Sequence, residues 1–229
     1  MRKELYVFRD RTPVKAVVRN YGRSDFADLI RIQQESFPPP FPSELWWTNE
    51  QLEEHVARFP DGALCIEIDG VLAGSMTSLM IRAADYAENH SWEAVTDGGC
   101  IRNHDERGET LYVVDLCVSP GYRKLGLGHW LMQSMYEVVV RRGLARLLGG
   151  GRMPGYGKWA EEMSAEQYLA KVVAGELHDP VITFLLRCGR TPVGVVPRYL
   201  KDEQSRNNAV LMEWKNPFYT TREESQLGL

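Results

Sequence analysis

Residues 114–128, Val-Asp-Leu-Cys-Val-Ser-Pro-Gly-Tyr-Arg-Lys-Leu-Gly-Leu-Gly, leave the chain few ways to fold. Leu111 to Val118 has few polar breaks and reads as a strand near the centre of a sheet covered on both faces. Pro120-Gly121 turns the chain, and a helix follows from Gly126 to Val140, with Leu131, Met132, Met135, Val138 and Val139 on its inner face. Arg141 and Arg142 complement the dipole in its last turn, and Gly143 can take the left-handed cap. Glycine at 126 and 128 lets a backbone approach a ligand closely, while the helix start aims free N–H groups and its positive end at the same point. The product is an anion pocket made of main chain and suited to a pyrophosphate, with Arg123 and Lys124 beside it.

Three nucleotide-type readings compete for that pocket. A Walker A loop needs Lys-Ser/Thr after its last glycine, but Gly128 is followed by His129-Trp130. A dinucleotide fingerprint counted from Gly126 needs a third glycine where Leu131 stands, and it lacks the acidic residue ending a second strand. What remains is Arg-x-x-Gly-x-Gly from Arg123 to Gly128, preceded by Val118-x-Pro120 and Tyr122.

With these residues the sequence resembles the GNAT superfamily of acyl-CoA-dependent N-acyltransferases, and the order of elements matches over roughly residues 14 to 215. The resemblance implies an α/β (α+β) fold with a mixed, mostly antiparallel central sheet flanked by helices. It implies that the main chain of Leu116, Cys117 and Val118 pairs with the pantetheine arm of acetyl-CoA or another acyl-CoA. The turn of Arg123, Lys124, Leu125, Gly126, Leu127 and Gly128 would cradle the pyrophosphate, and an N–H near Cys117 or Val118 would face the thioester carbonyl. The expected reaction is acetyl or short-acyl transfer to an amine, from a small molecule or a peptide, by direct transfer in a ternary complex. No metal is expected, and a homodimer is admitted.

The rest of the chain fits around this segment. Lys15–Arg19 is a short β-branched strand, and Ser24 is placed to cap a helix carrying Phe26, Leu29, Ile30 and Phe37. Pro38-Pro39-Pro40 ends it. Thr48 with Gln51 makes a capping box for a second helix with Leu52, His55, Val56 and Phe59 on one stripe, where His55 reads as packing. Strands 63–68 and 71–81 flank Asp69-Gly70, which suits a type I′ turn. Residues 82–109 lose all periodicity and read as a long excursion, a functional lid or a disordered insertion. Leu144–Leu148 is a strand running into Gly149-Gly150-Gly151. Residues 152–178 form a second insertion with a capping box at Ser164 and Gln167, Asp179-Pro180 starts a helix through Arg187, and strands 191–196 and 209–214 close the sheet. One domain over 1–219 with a loose tail at 220–229 is the simplest organisation.

Composition narrows the partners. A formal charge of −4 disfavours phosphate backbone or anionic lipid as the main attraction, although Arg141, Arg142, Arg146 and Arg152 could cluster. No run approaches the roughly 18 apolar residues of a spanning helix, and no secretory leader is visible. Cys65, Cys100, Cys117 and Cys188 form no CxxC pair. The expectation is a cytoplasmic protein that engages neither membrane nor nucleic acid.

Departures from the family pattern concern the chemistry. Many relatives carry a tyrosine four residues before the terminal glycine of the later helix, as acid toward the leaving thiolate; Leu185 stands there before Gly189, and Arg190 replaces a usual aromatic. Tyr156 and Tyr199 could substitute or could simply pack. Asp115, the carboxylate of the motif strand, is the candidate catalytic base, with a hydrogen-bonding or ion-pairing role as the alternative. Cys117 reads as a buried core thiol, not a nucleophile, because no histidine is paired with it in sequence. Phe37, Phe41, Trp46 and Trp47 fall where the family walls its acceptor site. Gly151–Tyr156 and Asp179-Pro180-Val181 also resemble acetyltransferase-like modules fused to carbon–nitrogen hydrolases. An acyl-CoA-binding sensor or scaffold without turnover is the competing class.

Overall fold

In the computed structural model, which describes residues 1–220, the chain opens on a hairpin of β1 (Arg2–Arg9) and β2 (Thr12–Asn20). Asp10 and Arg11 turn it at positive φ. Only Lys15–Arg19 of this hairpin is expected as a strand from the sequence, because β1 buries Val7 alone and shows Tyr6 and Phe8 to solvent, leaving no apolar face to recognise. Apart from Thr220, the expected tail lies outside the described residues.

The sheet continues through β3 (Ala63–Ile68), β4 (Val71–Ile81), β5 (Thr110–Val118), β6 (Arg146–Arg152), β7 (Thr191–Val196) and β8 (Ala209–Lys215). Its order is β1-β2-β3-β4-β5-β6-β8-β7, with every neighbouring pair antiparallel except β5 and β6. Asp69 and Gly70 both take positive φ, 50° and 84°, as the expected two-residue turn requires. β6 runs on through the three glycines instead of stopping at Leu148, because each glycine pairs with β8. A Cβ on Gly150 would lie 2.2 Å from the Tyr199 ring, so the close packing there excludes a side chain.

The helices α1 (Phe26–Ser36), α2 (Asn49–Arg58), α3 (Trp92–Thr96), α4 (Leu127–Arg141), α5 (Ala165–Val173) and α6 (Ile182–Arg187) cover this sheet. Thr77 and Ser78 of β4 point to opposite faces: Thr77 meets Tyr21 beside α2, and Ser78 meets Met135 of α4. Both capping boxes are formed, at Thr48/Gln51 and Ser164/Gln167. Ser24 does not cap α1. Arg19 grips the Asp25 carboxylate with two bonds of 2.8 Å, and Asp25 accepts the Gly22 amide, so a 3-10 turn over Arg23–Asp25 precedes the helix. Residues 82–109 pack rather than wander, with Trp92, Val95 and Ile101 buried. In the second excursion, buried Asp179 accepts the amides of Gly155, Val181 and Ile182 and the Tyr168 hydroxyl, which starts α6 two residues later than expected. Among the described residues no helix is long and apolar enough to cross a membrane.

His55 is fully buried on α2. Its Nε2–H donates to the Gly99 carbonyl at 2.6 Å, and Nδ1 accepts from the Tyr21 hydroxyl at 3.0 Å. Burial pushes its pKa down to about 4, so the folded ring is neutral. The unfolded chain takes up this proton near pH 6.5, so the ring's contribution is complete above that pH and is lost as the pH falls toward 4. The loss should reach about 3 kcal/mol. Urea unfolding should therefore show the stability gap between wild type and His55→Gln narrowing from pH 7.5 to pH 4.5. A gap that stayed constant would contradict a neutral buried ring.

Candidate active site

The parallel pairing of β5 with β6 covers only Thr110–Tyr112 against Arg146–Leu148. Beyond it β5 stays with β4 and β6 with β8, so the two strands part and open a cleft through the sheet. A bulge at Val114 helps: Thr77 faces Asp115 while Ser78 faces Val113. The Trp92 indole N–H donates to the Val114 carbonyl at 3.0 Å and holds the bulge in place. The resulting cavity, about 200 Å³, is lined by Gln33 and Trp47 on the α1–α2 face and by Met132 and Phe184 on the α4 face.

Asp115 lies on this cavity. Its Oδ2 is shielded from solvent and has no hydrogen-bond partner among the described residues. Burial, only partly opposed by the neighbouring Cys117 thiol and Leu116 amide, pushes the carboxyl up to about 7. Cys117, two residues on, is buried with its thiol against the Ser75 hydroxyl at 3.4 Å, and burial raises its pKa well above the usual thiol value. The histidine that approaches a cysteine does so elsewhere, His129 at 3.6 Å from Cys188. Cys117 is a protonated core thiol.

The turn after β5 is exposed at Arg123, Lys124 and Gly126, with Lys124 at φ 67° and Gly126 at φ 76°. Among the described residues, no protein acceptor meets the amides of Lys124, Leu125, Gly126, Leu127 or Gly128. Helix α4 therefore begins with a run of donors unclaimed by protein acceptors among the described residues. Two hydroxyls tie the end of α1 to this corner: Ser36 donates to the Val118 carbonyl at 3.1 Å, and Ser119 donates to Glu35 at 2.7 Å. Leu116 lines the cavity, while among the described residues the Arg123 side chain reaches only the Ser36 carbonyl, at 3.4 Å.

Other expected residues divide between cavity and scaffold. Phe37 and Phe41 stack at 4.9 Å and line the cavity with Trp47; Trp46 does not, its indole instead donating to the Phe37 carbonyl at 3.0 Å. Leu185 sits on the cavity with no proton to give. Tyr156 lies off it, donating to the Met163 carbonyl. Tyr199 lies on it, its hydroxyl 2.9 Å from that of Tyr112, which in turn meets His90 at 3.0 Å. Arg141, Arg142, Arg146 and Arg152 each face a carboxylate, so they form no free basic stripe. Sequence reasoning missed Gln33, Trp92 and the bulge, none of which carries a local signal. Gly149–Gly151 could have marked the cleft, since consecutive glycines in a strand indicate close approach.

Comparison with known proteins agrees with this architecture. The model of the acetyltransferase (GNAT) family matches residues 26–151. Over 217 residues, 95% of this chain and 96% of the other, the sequence is 52% identical to Uncharacterized N-acetyltransferase YkwB of Bacillus subtilis (strain 168). It is 37% identical over 206 residues, 90% of this chain, to Probable hydrolase YhcX of the same organism, of which it spans only 39%. That partial match fits the expected likeness to a module found joined to a hydrolase. Among solved structures, the loading GNATL domain of CurA from Lyngbya majuscula shares the fold at a TM-score of 0.75 and 21% identity, over 88% of this chain and 98% of that one. By a family model covering more than half its length and a relative matched almost end to end, the chain belongs to the acetyltransferase (GNAT) family, the acyl-CoA-dependent N-acetyltransferases.

Proposed function

We propose that this protein moves an acetyl or short acyl group from acyl-CoA to a small-molecule or peptide amine, directly and within a ternary complex. The observation that carries the reading is the pairing of unclaimed amides at 124–128 with an Asp115 carboxyl, one oxygen of which has no partner among the described residues, at a cleft that opens to both faces of the sheet. Acyl-CoA supplies the activated thioester, its pyrophosphate on the turn of Arg123 to Gly128 and its arm along Leu116–Val118. The amine enters from the side of α1 and α2, past Phe37, Phe41 and Trp47. As its nitrogen bonds to the carbonyl carbon, Asp115 takes the proton that the nitrogen sheds. An amide near Cys117 or Val118 steadies the oxyanion. The C–S bond then breaks, and Tyr199 is the phenol on the cavity that can return a proton to the thiolate. Residues 1–219 act as one cytoplasmic domain in this scheme, independent of membrane and nucleic acid.

Thiol release from acetyl-CoA should depend on added amine across a panel of small amines and peptides. Mass spectrometry after incubation with acetyl-CoA alone should find no acylated protein. An acyl group trapped on Cys117 would overturn direct transfer. Leu185, in place of the usual acid, favours a second reading, a non-catalytic acyl-CoA sensor or scaffold. Tight acetyl-CoA binding without amine-dependent thiol release anywhere in the panel would select it.

A further inference from the structure

Arg190 is 3% exposed and lines the cavity from the link between α6 and β7. Its position is set by the helix end: Gly189 takes φ 81°, and the Arg190 amide returns to the Leu185 carbonyl at 3.1 Å. The side chain donates from Nη2 to the carbonyls of Met212 and Gly149, the latter at 3.4 Å. Its Nε has no partner among the described residues. No carboxylate among them pairs with it. The groups around it are the phenols of Tyr112, Tyr136 and Tyr199 and the Cys188 thiol. Arg152, the other arginine on the cavity, differs in being held by Asp202 through two bonds of 2.8 Å. The acid of the cavity lining, Asp115, feels Arg152 and not Arg190.

A buried cation without a counter-ion is among the costliest features a core can carry. Two backbone carbonyls give the guanidinium hydrogen bonds but leave its charge unbalanced and Nε empty. A neutral glutamine could clip β6 to β8 as well. The missing partner is an anion that arrives with a ligand, and the fork geometry of a guanidinium suits a carboxylate.

We propose that Arg190 receives a carboxylate carried by one of the two substrates, either the acyl group of a dicarboxylic acyl-CoA or an amino-acid-like acceptor. The proposal rests on the acyltransferase reading for the identity of those substrates, but its test reads binding first. In one arm, succinyl-CoA and butyryl-CoA are titrated calorimetrically into wild type, Arg190→Lys and Arg190→Met. In the other, amino acids and their carboxamides (glycine against glycinamide, glutamate against glutamine) are titrated into the CoA-saturated proteins and then assayed for thiol release from acetyl-CoA. Wild type should prefer the carboxylate member by about tenfold or more in one arm, which names the source. Arg190→Lys should keep part of that preference, and Arg190→Met should reduce it to within about twofold. The proposal falls if wild type prefers the carboxylate in neither arm, or if a folded Arg190→Met retains the full preference. Thermal melts establish folding, and the wild-type and Arg190→Lys ratios still decide if the methionine variant does not fold. Carboxylate preference in binding with no thiol release from the preferred acyl-CoA or acetyl-CoA across the whole amine panel would sink the transferase reading and leave Arg190 as the receptor. Thiol release without carboxylate preference would do the reverse.

Discussion

Gly126→Val should bind acetyl-CoA and CoA at least about a hundredfold more weakly than wild type, while its unfolding midpoint falls only modestly. The residue sits at φ 76°, a conformation in which a β-branched side chain is strained by roughly 1–2 kcal/mol. A Cβ there would meet no atom within 4 Å, so the protein itself has room for it. The strain is relieved by moving the backbone out of the left-handed region, which reorients the unclaimed amides of residues 124–128. Each hydrogen bond from such an amide to a charged phosphate is worth about 1.5–3 kcal/mol, so losing one or two accounts for the hundredfold. Gly143 is the control. It caps the other end of α4 at φ 62°, again with no atom within 4 Å, and Gly143→Val therefore carries the same strain far from the turn. Calorimetric titration should show near-normal affinity in Gly143→Val and a collapse in Gly126→Val. Equal affinities in the two would remove the turn from cofactor binding.

The contrast between turn and cleft also explains what was legible in the sequence. Asp69-Gly70, Gly126, Gly143 and the two capping boxes announce themselves because local backbone chemistry dictates their residues, and all appear where expected. The apolar stripe of α4 and the continuous run of β5 were readable for the same reason. Features set by partners outside the segment itself were not. Ser24 had the right chemistry for a cap, but Arg19, on the neighbouring strand, captured Asp25 and tightened the helix entry. β1 is stabilised by pairing with β2 rather than by burial, so its pattern looked mixed. The cleft exists because β5 and β6 part after Tyr112 and Leu148, a consequence of β4 and β8 each holding one of them. Arg190 was visible as a departure from the family pattern; its isolation from any carboxylate was visible only in three dimensions.

Asp115→Asn should lower kcat by about 10²–10³, within the usual range for removing a general base. In wild type the rate should rise with pH through an apparent pKa about 7, because the carboxyl must be ionised to accept a proton and burial holds it near that value. The asparagine variant should lose that limb and leave a flat, low profile. The same burial makes an opposite prediction for stability. A carboxyl raised from its ordinary value to about 7 in the folded state contributes fully below about pH 4 and loses that contribution as the pH rises toward 7. At pH 8 the folded protein therefore carries a desolvated charge, met only by the Leu116 amide and the Cys117 thiol and with Oδ2 unpartnered among the described residues, that asparagine, of the same shape, does not. Asp115→Asn should be more stable than wild type there by roughly 2–4 kcal/mol, with the gap closing on acidification. Denaturant titrations at pH 5 and pH 8 beside the rate profile separate the two roles. Activity lost while stability is gained marks a carboxylate kept for chemistry at the expense of the fold. A variant that lost both together would make Asp115 a structural partner of its strand, and the proton would have to leave the amine by another route.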